Sequence, residues 1–384
     1  MLRKMPFVLI VIIAAIAFFG PWIPPFFQTA FYATSLSLKY VIVFLLPVVI
    51  FGLLFKAAVD LAKKATGIIL LILVCVCFSN FVSAFLSHYV GSWAYQMDLS
   101  LVVPKGAETH GLKPAWVFEL PQWVGNEKVM FGGIILGILM ALWKEDWAHR
   151  LAIKLEWGVV RILKLFTYLI PLFITGFMIK LQADGVMQVI IRDYTFIFVL
   201  IALALFGYIF LAYFILDRFK FGRFLSSIKN MLPAAMSGFT TMSSAASMPL
   251  TLIGTESNTQ NKDIAHSVIP ATVNVHLIGD CFAIPIFAYA VLKNYGMPEP
   301  TLMAYLYFAF YFVIAKFSVA AVPGGGILVM LPVLSTYLGF HNEMLSLITA
   351  LYILFDPVIT CANVLGNGAF AKMIDRVVSF HTKR

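Results

Sequence analysis

Two stretches, TTMSSAASMPLTL at residues 240–252 and KFSVAAVPGGGILVM at residues 316–330, decide how this chain folds. Each places a tip of small and polar residues between two apolar arms, a pattern that a helix facing lipid does not tolerate. Non-helical backbone at membrane depth survives only where protein or a water-filled cavity satisfies its amides and carbonyls. The run Gly324, Gly325 and Gly326 directly after Pro323 argues further against a helix through the second tip. Both stretches therefore read as re-entrant helical hairpins. Each is followed by a long apolar span, about 264–292 and 345–371, so the second half of the chain reads as an inverted repeat.

Outward from these tips the composition agrees. The 384 residues are 61% hydrophobic and only 12% charged, with a mean hydropathy of +0.94, too little polar surface for a soluble enzyme or for a disordered or fibrous chain. The net charge of +9 is spread between apolar runs rather than gathered on one face, which excludes nucleic acid as a partner. Cys75, Cys77, Cys281 and Cys361 lie inside apolar stretches as packing residues. The first apolar run, 7–25, has no small-residue cleavage pattern before Trp22 and Pro24 and reads as a retained span.

Further spans are expected at 38–61, 67–95, 128–143, 157–183 and 193–217, giving eight transmembrane helices plus the two hairpins in an all-α polytopic membrane protein. Lys and Arg concentrate in alternate connections and at both ends, which puts both termini on the cytoplasmic side of the cell inner (plasma) membrane. Residues 144–154 read as a solvated cytoplasmic face, and Gly132, Gly133 and Gly137 as a helix-packing surface.

Ionisable and amide side chains cluster in the last two spans, in ATVNVHLIGD at 271–280 and FDPVITCANVLGN at 355–367. A charge at the centre of a membrane helix costs about 2.5–3.5 kcal/mol, so Asp280 and Asp356 need partners or a purpose. Asp356, Thr360, Asn363 and Asn367 follow one helical stripe. An aspartyl protease is one reading of two intramembrane aspartates, but Leu277 stands where the Gly-x-Gly-Asp of presenilin-like enzymes has its first glycine. A channel is the other rival. The reading adopted is that the chain is not an enzyme.

The two tips, the Asn-containing break and the Asp, Thr, Asn stripe together resemble the dicarboxylate/amino acid:cation symporter family, with the glutamate-transporter-homologue fold. The family's serine-rich tip, its Asn-Met-Asp-Gly-Thr break, its Val-Pro-Gly-x-Gly tip and its Asp-x-x-Arg-Thr-x-x-Asn-x-x-x-Asp stripe appear here as SSAASMP, NVHLI, VPGGG and DPVITCANVLGN. The resemblance implies a homotrimeric secondary active transporter working as an elevator. Its scaffold helices would be 1–66 and 96–217, the latter with an extracellular loop and a helix packing against the transport domain. Residues 67–95 and 218–384 would form that transport domain, with hairpins near 230–258 and 302–340.

Carried over residue by residue, Asp356 would hold a substrate amino group and Asn363 the α-carboxylate, with Thr360 beside them. Ser243 and Ser244 in one tip, and Val322, Pro323, Gly324 and Gly326 in the other, would close the site with backbone amides. The family arginine that meets an acidic side chain is Ile359 here, and the threonine facing the same carboxylate is Ile278. A small neutral or apolar amino acid is the expected substrate. The alternative is a sodium-coupled dicarboxylate or acidic amino acid symporter.

The two aspartates that ligate sodium in the family fall at His276 and Asn367, and Lys316 falls among the carbonyls of another sodium site, so the sodium sites read as degraded. Lys316 would supply a permanent charge. His276, Asp280 and Asn274 would serve coupling, with a proton favoured over sodium and no cofactor or resident metal. The duller readings are a structural Asp356 paired with Lys316, a neutral His276 bonded to a carbonyl, and a Lys316 that snorkels to the interface.

Overall fold

The computed structural model describes residues 5–64, 67–97, 111–121, 124–185, 187–319 and 323–382, and every regular element among them is helical. In chain order these are α1 (Met5–Phe19), α2 (Pro25–Lys64), α3 (Gly67–Gln96), α4 (Asn126–Trp143), α5 (Glu145–Ala183), α6 (Met187–Leu216), α7 (Phe221–Thr241), α8 (Ser244–Glu256), α9 (Lys262–Thr272), α10 (Ile278–Asn294), α11 (Leu302–Lys316), α12 (Gly325–Leu338) and α13 (Asn342–Thr382). Helices α2, α3, α5, α6 and α13 each contain a stretch long and apolar enough to cross a bilayer alone, while α1, α4, α11 and α12 are shorter apolar helices. The expected spans at 7–25 and 128–143 correspond to α1 and α4.

Three expected boundaries move, each for a local reason. Helix α2 begins at Pro25 rather than near 38: proline's fixed φ suits the first helical position, and the hydroxyls that follow are satisfied by the helix's own carbonyls, Thr34 bonding to Ala30 at 2.9 Å and Ser37 to Ala33 at 2.8 Å. Helix α5 begins at Glu145 rather than near 157, its first turn carrying Glu145 and Asp146 against the positive end of the helix dipole. The span expected at 264–292 is two helices, broken between Thr272 and Ile278.

The helices pack in two groups. In the first, α2 lies along α5 and α4, and α1 lies on α5. Gly133 and Gly137 let α4 approach α2 closely: a Cβ on Gly137 would sit 2.7 Å from the Ala58 methyl and 2.8 Å from the Phe55 carbonyl, whereas Gly132 faces open space. In the second, α3 packs on α10, and α13 is surrounded by α6, α7, α8, α9 and α10. Every residue of α10 except Lys293 is buried. Helix α6 sits with this second group, through Tyr213 donating to the Leu365 carbonyl (3.0 Å) and Phe198 stacked on Phe355 (4.9 Å). Just beyond α6, Asp217 is ion-paired at 2.6 Å with buried Lys372 of α13, which also donates to Ser227 of α7. Large apolar side chains such as Phe78, Leu142 and Leu203 are exposed on the outer faces, as lipid contact requires.

Where the groups meet, α2 and α5 face α12 and α13 across a narrow, mainly apolar crevice lined by Ile42, Phe166, Phe173, Leu328, Leu331 and Ile353, with Lys39 and Thr349 also in its wall.

Residues 240–252 form the turn and second arm of a helical hairpin, and on either side of 320–322, which lie outside the described residues, α11 and α12 pack against each other as the arms of another. The first, α7–α8, turns at Met242 in the left-handed region (φ 49°), and Ser243 caps α8 by accepting from the Ala246 amide at 3.2 Å. The second, α11–α12, re-enters helix at Gly324, also left-handed (φ 72°), a conformation that glycine adopts without a Cβ clash.

Candidate functional site

The second hairpin, the tip of the first, the α9–α10 break and the middle of α13 converge on a small, partly open cavity. It is lined by Met242, Ser244, Asn274, Leu277, Asp280, Val319, Gly326, Tyr352, Asp356, Thr360 and Asn363. Seven of these are among the residues singled out from sequence. Val322 lies outside the described residues.

Asp356 is buried, and its two oxygens have different partners. One accepts the Gly324 amide at 2.8 Å, so the carboxylate caps the start of α12 in place of a side-chain cap. The other accepts the Thr360 hydroxyl one turn along α13 at 3.0 Å. Asp356 does not pair with Lys316. Asn363 accepts the Gly279 amide at 2.8 Å, which orients its oxygen toward α10 and leaves its NH2 donors for the cavity it lines. Gly279 permits this approach, since a Cβ there would collide with the Ile359 carbonyl.

Lys316 is fully buried and donates to Asp280 at 2.9 Å, with its ammonium 4.4 Å over the Phe312 ring. It does not reach an interface. The second Asp280 oxygen accepts the Tyr352 hydroxyl at 2.8 Å. Gly326 packs on this bond: a Cβ there would stand 2.6 Å from the carboxylate and overlap the Tyr352 hydroxyl.

His276 and Asp280 have no bond to each other. The His276 ring bonds Ser79 of α3 at 2.9 Å and Asn367 at 3.3 Å, and packs on Phe370. The positions at which the family resemblance puts sodium-ligating aspartates thus hold a hydrogen-bonded imidazole and amide, with no carboxylate. Among the described residues no group of three His, Cys, Asp or Glu side chains is placed to hold a metal ion. Ile278 and Ile359 belong to the buried core and are not among the cavity-lining residues. Asn274 is exposed and faces the cavity.

Three polar residues that build this region were not picked out from sequence. Tyr352 stands four residues before Asp356, so the stripe on α13 extends one turn further than its Asp, Thr and Asn members indicate. Ser79 and Asn80 come from α3. Asn80 donates to the Val275 carbonyl (2.7 Å) and accepts the Leu277 amide (3.3 Å), satisfying the backbone that the α9–α10 break leaves open. An adjacent hydroxyl and amide in the middle of a mainly apolar helix are the signal that marks Ser79 and Asn80.

No curated protein matches the chain in a sequence search. The model of the sodium:dicarboxylate symporter family matches residues 5–377, nearly the whole chain. This protein, a multi-pass membrane protein of the symporter type, therefore belongs to the sodium:dicarboxylate symporter family.

Proposed function

We propose that the chain carries a small neutral amino acid across the membrane and does so without sodium. One observation carries this reading: Lys316, the only cation whose hydrogen bond reaches a cavity-lining side chain among the described residues, is bound to Asp280. With all three groups ionised, Asp356, Asp280 and Lys316 leave the cavity with one net negative charge. A substrate ammonium pairs with Asp356, and the one negative charge that remains is that of the α-carboxylate. The α-carboxylate is received by the Asn363 NH2 and by backbone donors at the tips near Ser244 and Gly326. A dicarboxylate brings two negative charges to a buried site with no cation to spare, and uncompensated buried charge costs several kcal/mol.

Sodium independence is supported by His276 and Asn367, which offer no anionic oxygen to a hard cation. We assign the coupling role to a proton or to exchange of one substrate for another. His276 is the proton carrier, with Ser79 and Asn367 rather than Asp280 as its immediate partners. The apolar crevice between the two helix groups supports an elevator in which α3 and α6–α13 slide past α1, α2, α4 and α5. In that scheme α6 travels with the moving part. Homotrimeric assembly and cytoplasmic termini complete the proposal.

The test is ligand-induced stabilisation of the purified protein, since a ligand that binds only the folded state raises its apparent stability by mass action. Leucine or alanine raises Tm with or without sodium, and aspartate and succinate do not. Stabilisation by succinate that depends on sodium restores the dicarboxylate alternative.

A further inference from the structure

Asp280 is the second carboxylate of the cavity, and its partners come from two other helices, Lys316 at the end of α11 and Tyr352 in α13. Neither is needed to hold the backbone together: the adjacent Gly279 amide is satisfied by Asn363, and the tip of the second hairpin is already tied to Asp356 through Gly324. An aspartate and a lysine facing each other at 1% and 0% side-chain exposure are costly for a membrane protein to keep. Their effect on the cavity is to cancel each other within its wall, one member lining it and the other directly behind.

We propose that the Asp280–Lys316 pair, oriented by Tyr352, determines which substrate side chains the transporter accepts. This inference rests on the neutral-substrate reading above. Asp356 fixes the ammonium common to all amino acids, whereas the Asp280–Lys316 balance faces whatever remains of the substrate. Balanced, it gives no reward to a charged side chain of either sign. Loss of the lysine leaves an unpaired carboxylate that favours a cationic side chain, and loss of the aspartate charge leaves an unpaired ammonium that favours an acidic one. Gly326 adds to the selection, because its missing Cβ keeps the hairpin against the Asp280–Tyr352 bond and denies space beyond it.

The test compares the full-length protein with Lys316→Met, Asp280→Asn and the double variant, using leucine, lysine and aspartate as probes and the ligand-induced Tm shift as the readout. Lys316→Met is expected to improve binding of lysine relative to leucine by about tenfold or more, and Asp280→Asn to do the same for aspartate. The double variant returns to the wild-type ranking. Single variants that keep the wild-type ranking overturn the proposal and leave the pair a structural one. Wild-type protein stabilised by aspartate and not by leucine overturns the substrate reading instead, and the changes in ranking still decide the role of the pair. Where a single variant does not fold, Tyr352→Phe, which keeps both charges paired and removes one donor from Asp280, is expected to favour lysine over leucine by about threefold. An unchanged ratio in Tyr352→Phe overturns the proposal.

Discussion

The two hairpins have similar sequence outlines, small polar tips between apolar arms, yet they are held in different ways. Away from its base, where Lys372 of α13 donates to Ser227, the first is closed at its tip by neutral groups of its own: Ser247 donates to Ser237 at 3.2 Å, Thr241 to the Ser237 carbonyl at 2.7 Å, and Ser243 caps α8. Its outward faces, at Met236 and Ile253, are exposed. The second is fastened to its neighbours by ions, with Lys316 on Asp280 of α10 and the Gly324 amide on Asp356 of α13, and the first three turns of α12 are buried. A hairpin closed by its own hydroxyls keeps its shape whatever lies beneath it. One closed on carboxylates responds to whatever changes their charge, so under the proposed function the second hairpin is the one whose closure a substrate ammonium on Asp356 would influence.

The largest effect expected from breaking this contrast is on stability. Lys316→Met leaves Asp280 buried with Tyr352 as its remaining partner and is expected to cost about 3–5 kcal/mol, measured by unfolding of the purified protein in detergent. An equal loss from Ser247→Ala in the first hairpin would erase the distinction between them.

Next in size is Asp356→Asn, which keeps the shape of the side chain and removes its charge. Loss of a charge-assisted bond to the substrate is expected to weaken binding by about a hundredfold, read as disappearance of the leucine-induced Tm shift with the fold retained. Unaltered leucine binding would remove Asp356 from the site. The smallest effect belongs to the first hairpin: Ser243→Ala deletes the α8 cap and is expected to cost about 1 kcal/mol, with the ranking of substrates unchanged.

Much of this arrangement is legible in the sequence, and the legible part has a common character. The tips at 240–252 and 316–330, the break after Thr272 and the stripe through Asp356, Thr360, Asn363 and Asn367 are all local patterns, written in hydropathy and helical spacing. Boundaries set by polar residues that the helix itself absorbs, as at the start of α2, were less visible. Tyr352 lies on the same stripe but is aromatic, a residue type that usually reads as core or lipid contact. Asn80 and Ser79 lie nearly 200 residues from the backbone and ring they bond, and nothing in their immediate sequence names those partners.

By itself, then, the sequence determined that the chain lies in a bilayer, where its backbone breaks and which helix face is polar, because water-free surroundings constrain each segment on its own. Only the tertiary structure decided who neutralises whom: Lys316 with Asp280 rather than Asp356, Gly324 with Asp356, and His276 with Ser79 and Asn367 rather than Asp280. Charge pairing at low dielectric depends on distances of a few ångströms between helices that are remote along the chain, and no periodicity within a single helix carries that information.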